Sequence, residues 1–75
     1  MNDKIELQNS NFNKLIYLNL PPIQSRYIAY QLAEINIDKF ELEYKENELK
    51  IYTTDCVYNV VISKIDIPIH KIEII

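Results

Sequence analysis

The chain has 75 residues, a net charge of −3, one cysteine and no glycine. That length holds one domain, near the size at which a single core needs help from disulfides, metal or self-association. One cysteine excludes an internal disulfide. Cys56 and His70 alone fall short of the four ligands of a structural zinc site. The absence of glycine excludes the Walker A loop, the dinucleotide-binding fingerprint, the nucleophile elbow and the EF-hand calcium loop.

Residues 1–13 are polar and rich in asparagine, with Ile5, Leu7 and Phe12 as anchors. They read as a loosely ordered tail or a short strand over residues 4–8. From residue 14 to 20 the sequence KLIYLNL alternates, which predicts the first strand. Pro21 and Pro22 stop it, and Pro22 suits the first turn of a helix, where its missing N–H is not needed. The helix is expected over residues 22–35. Asn36 then takes a left-handed conformation, and Ile37 folds back toward Leu32. Within the helix Ile28, Leu32 and Ile35 form one stripe and Ile23, Tyr27 and Tyr30 a second.

The stretch from residue 39 to 69 predicts an antiparallel meander. A two-residue loop at Glu46 and Asn47 sets Lys45 opposite Glu48, Tyr44 opposite Leu49, Glu43 opposite Lys50 and Leu42 opposite Ile51. Like then meets like on one face and opposite charges meet on the other, each pair worth roughly 0.2–1 kcal/mol. A one-residue slip mixes the faces. A second loop at Thr54 and Asp55 sets Thr53 opposite Cys56, Ile51 opposite Tyr58 and Leu49 opposite Val60. The core face is Phe40, Leu42, Tyr44, Leu49, Ile51, Tyr58, Val60 and Ile62. A third turn at Ser63 and Lys64 would add Ile65, Ile67 and Ile69 to that face, as an edge strand because Pro68 cannot donate to a ladder. The apolar parity then flips to Ile72 and Ile74, which predicts a bulge or a break near His70.

The expected fold is therefore α+β, one helix packed on a mostly antiparallel sheet of four to five strands in the order β-α-β-β-β(-β), as a single domain. Its outer sheet face is left uncovered.

No constellation carries catalysis. Cys56 points to the core and His70 away from it, out of reach of one another. Glu41 and Glu43 share a solvated strand face, and Glu43 already has Lys50 opposite it. No catalytic residue, metal ligand or cofactor is assigned, and the chain is read as non-enzymatic. The dispersed acidic charge argues against nucleic acid, since phosphates require clustered Lys and Arg. The first residues lack the apolar run of a signal peptide, and no stretch reaches the ~20 apolar residues of a membrane span, so a cytoplasmic protein without membrane contact is expected.

Six tyrosines stand out. With Arg26 beside them, Tyr27, Tyr30 and Tyr52 offer the side-chain chemistry enriched at interfaces, while the alternative for such rings is to cap a small core. Ile72 and Ile74 lie on an apolar edge with potentially unpaired backbone groups. These residues predict a protein-interaction module that docks on a protein partner, a homodimer included, through a sheet edge or a tyrosine-bearing surface. A small phage or mobile-element inhibitor of a larger bacterial protein is the setting that size and composition suggest. The competing expectations are a homo-oligomeric ligand-binding or enzymatic module with its site at an interface, and a single-stranded nucleic-acid binder.

Overall fold

The computed structural model describes residues 3–65 and 72–75. Helix α1 spans Asp3–Leu15, and a single 3-10 turn, Ile16–Leu18, leads to helix α2, Pro22–Glu34. Strands β1 (Glu41–Lys45), β2 (Glu48–Tyr52), β3 (Val57–Val61) and β4 (Glu73–Ile74) form one antiparallel sheet in the order β1-β2-β3-β4. The class is α+β, with two helices preceding the sheet rather than one helix between strands.

Two expectations are corrected here. Residues 1–13 were expected to be a tail or short strand, and residues 14–20 a strand, yet α1 and the 3-10 turn occupy that ground. The helical stripe of α1 runs through Leu7, Asn11 and Leu15, spaced four apart, with Phe12 beside it. Its central member is polar, so it does not read as an apolar face. Asn11 is nevertheless fully buried, and its Nδ2 donates to the carbonyl of Ile37 at 3.1 Å. Asp3 and Glu6 in the first turn and Lys14 in the last favour the helix through its macrodipole. The alternation of KLIYLNL is coincidental. Leu15 and Leu20 are buried and Leu18 half-buried, whereas Ile16 and Tyr17 point to solvent.

The helices form an antiparallel hairpin. Lys4 Nζ meets Glu34 Oε2 at 3.1 Å, and the Arg26 guanidinium lies 4.7 Å from the centre of the Phe12 ring, so pairs eight residues apart run in opposite order along the two helices. Ser25, Ala29 and Ala33, spaced four apart on α2, are all buried, and small side chains let helix backbones approach closely. Helix α2 ends as its sequence predicts, within one residue. Asn36 has φ 58°, its N–H donates to Ala33 O at 3.0 Å, and the Ile37 N–H donates to Leu32 O at 2.9 Å, which is a Schellman motif.

Both hairpin registers match the side-chain pairing argument, from Lys45 opposite Glu48 through Leu42 opposite Ile51, and Leu49 opposite Val60 with Ile51 opposite Tyr58. The first loop has both central residues at positive φ, Glu46 at 53° and Asn47 at 68°, the conformation whose twist suits a two-residue hairpin. The core joins Leu15 and Leu20 to Ile28 and Leu32 of α2, to Leu49, Ile51 and Val60 of the sheet, and to Ile62 just past β3. Tyr44 lies on this face but stands at its exposed margin.

Beyond β3 the chain is tied down by one buried side chain. Gln24 is fully buried, and its amide accepts from Ser63 N–H at 2.9 Å and donates to the carbonyls of Ser63 at 3.1 Å and Ile65 at 3.0 Å. One glutamine thus stands in for a neighbouring strand and satisfies backbone groups that have no ladder partner there. Ile65, expected on the core face, is 70% exposed, because that tie turns its side chain outward. The expected core positions Ile67 and Ile69, with Pro68 and His70, lie outside the described residues.

Candidate interaction edge

Strand β4 pairs Ile74 with Tyr58 and Glu73 with Asn59, and Ile75 N–H donates to Val57 O at 2.8 Å. Backbone bonds alternate sides along an antiparallel strand. Since Ile75 points its N–H at β3, Ile74 points its own N–H and C=O away from the sheet. No described residue lies there to bond them.

Next to this edge lies an apolar groove of about 230 Å³, lined by Gln31, Leu32 and Ile35 of α2 and its end, by Tyr58 of β3, and by Ile72 and Ile74. Ile72 is half-buried against the core, while Ile74 is 68% and Ile35 51% exposed. Helical spacing groups Ile35 with Ile28 and Leu32, which are buried. The Schellman turn ends the helix there instead, and Ile37 takes the place against the core.

The other expected docking residues are scattered, and most are engaged within the chain. Arg26 stacks on Phe12. Tyr27 is half-buried against the core. Tyr30 lies beside Glu34, whose carboxyl is held below its ordinary pKa first by the hydrogen bond from Lys4 and then by Tyr30. The flank of α2 carrying Arg26, Tyr30 and Glu34 therefore clasps α1. Tyr52 stands on the outer sheet face, where its hydroxyl donates to Glu43 Oε1 at 2.7 Å; that bond raises the phenol pKa, with burial and the Glu43 charge adding to it. Gln31, Leu32, Ile35 and Tyr58 are the groove residues that sequence reasoning did not select. The flipped parity at Ile72 and Ile74 was the signal for the edge itself.

A second, more polar cleft of about 320 Å³ lies between residues 35–39 and the β2–β3 turn, and it contains Cys56. The Thr53 hydroxyl accepts from Cys56 N–H at 3.1 Å and donates to Cys56 O at 2.9 Å, closing the turn. The neighbouring Cys56 holds the Tyr58 phenol above its ordinary pKa, with burial and the Asp55 charge acting the same way. Asp55 lines the same cleft. Among the described residues no group of three or more His, Cys, Asp or Glu side chains is placed to hold a metal, and no helix is long and apolar enough to cross a membrane.

Neither a protein-family model, a curated protein nor a solved structure matches the chain.

Proposed function

We propose that the chain is a non-enzymatic protein-interaction module that accepts an extended segment of a protein partner along β4. The observation that carries this reading is the continuity of the outward-facing backbone of Ile74 with the apolar groove beside α2. Strand addition uses such a pair of features: main-chain hydrogen bonds supply affinity, and pockets for alternate side chains supply specificity. The tyrosine-bearing flank of α2 is the weaker candidate, because its polar groups already hold α1 in place. A small inhibitor seated on a larger protein is one role that this surface suits.

A displayed library of random peptides, selected on the full chain, tests the reading. The expected ligands alternate apolar residues with β-prone ones, and Ile35→Glu, which places a charge in the groove, weakens them at least tenfold. Selected peptides whose binding is indifferent to Ile35→Glu, or a library yielding no binders, would overturn it.

A further inference from the structure

We infer that the segment added at this edge is β4 of a second copy of the chain, an inference that rests on the proposed strand-addition surface. A two-fold axis through Ile74, perpendicular to the sheet, places Ile74 opposite its own copy. The outward N–H and C=O of each Ile74 then satisfy one another in two reciprocal bonds, because a self-opposed residue with outward polar groups forms the hydrogen-bonded type of antiparallel pair. The two sheets join into one of eight strands.

This operation keeps both helical hairpins on the same face of the joined sheet. The Ile74 side chains lie on that face, since Ile74 pairs with Tyr58 of the core side. They meet between the two α2 helices and cover Ile35 and Ile72 from each copy. One surface thus supplies both the projecting side chain and the groove that receives it, the self-complementarity a two-fold interface requires.

Charge permits the same register. Glu73, the one charged residue of β4, comes opposite Ile75 of the copy and only diagonal to its own counterpart. The acidic β1 lies three strand spacings from β4, about 14 Å, beyond the ~8 Å screening length at physiological salt. The net charge of −3 on each copy therefore does not hold the edges apart. Pairing at the opposite edge would bring Glu41 and Glu43 toward their own counterparts.

The contact is confined to the two-residue β4 and the groove beside it, which puts it among small, transient interfaces, so the dimer is expected to dissociate at about 1–100 µM. Sedimentation of the full chain across a dilution series from millimolar to submicromolar concentration tests this. Wild type is expected to pass from dimer to monomer. Ile74→Pro removes only the outward N–H and leaves the β3 ladder bonds in place, so it is expected to stay folded by circular dichroism and to weaken association at least tenfold. Should that variant not fold, Ile35→Glu provides the same readout from the helix side. Tyr17→Ser, at the most exposed aromatic residue and away from the edge, is the control expected to leave association unchanged. A monomer at every concentration, or a dimer that both Ile74→Pro and Ile35→Glu leave intact, would overturn the inference. Library peptides that still bind a strictly monomeric chain at the groove would leave strand addition standing and remove only the second copy as occupant.

Discussion

At one edge of the sheet β1 turns Glu41, Glu43 and Lys45 to solvent, while at the other β4 offers Ile74 with Ile75 after a single charged residue, Glu73. The two edges are also anchored differently. Strand β1 leads into a two-residue loop and pairs with its sequence neighbour over five residues. Strand β4 pairs over two residues, and the chain leaving β3 is tied to α2 through Gln24. Charged side chains on an edge strand discourage pairing with another chain, and an apolar edge invites it. The contrast shows where the molecule is closed to association and where it is open.

The strongest way to break the contrast is to remove what both edges share. Ile51 is fully buried in the interior strand β2, and Ile51→Ala is expected to cost about 2–5 kcal/mol, with both edges melting together. Urea titration followed by hydrogen exchange checks this, and a loss below about 1 kcal/mol would show that the core does not depend on that strand. Next in size is Gln24→Ala, which leaves the part-buried backbone groups of Ser63 and Ile65 without their partner. About 1–3 kcal/mol is expected. Its exchange signature should concentrate in β3 and β4 and spare β1; a loss spread evenly over the sheet would mean that Gln24 supports the core at large rather than one edge.

The opposite edge is sharpened by a gain of stability. Glu46 at positive φ is strained in a way that Asn is not, and Gly relieves the neighbouring position. The double change Glu46→Asn, Asn47→Gly is expected to add roughly 1 kcal/mol and leave the association constant unchanged. Equal or lower stability would count against the two-residue loop.

The smallest effect belongs to the helix clasp. The Glu34 carboxyl is held below its ordinary pKa by Lys4 and Tyr30, so its contribution to stability is present above that ordinary value and fades as pH falls through the lowered one. Between pH 6 and pH 3, wild type should lose slightly more stability than Glu34→Gln, and the association edge should not respond. Parallel acid profiles for the two proteins would show that the clasp contributes nothing.

The parts of the fold legible in the sequence were those in which neighbours in the chain are neighbours in space. Opposite charges at Glu43 and Lys50 and apolar partners at Leu42 and Ile51 pair across a two-residue turn, so their register follows from the order of side chains alone. The end of α2 was legible for the same reason, since Asn36 and Ile37 act on carbonyls within the preceding turn. Of the candidate interaction residues, Ile74 was legible from the change in apolar parity. Ile35 was not, because helical periodicity places it inward and only the actual end of the helix releases it to solvent.

Local sequence therefore determined the hairpins, the second helix and the apolar character of the last strand. Tertiary structure decided the rest. The first helix runs along a stripe centred on a polar residue, Asn11, whose buried Nδ2 finds its acceptor in the carbonyl of residue 37, far along the chain. Gln24 lies one turn before Ile28 on the buried stripe of α2, and its polar amide finds partners there only because the backbone of residues 63–65 comes to meet it. Which surface stays open was settled in the same way: α1 engages the tyrosine flank of α2, and the edge beside Ile74 has no such partner among the described residues. A polar side chain's place inside or outside depends on whether a distant group can satisfy it, and that is known only once the chain has folded.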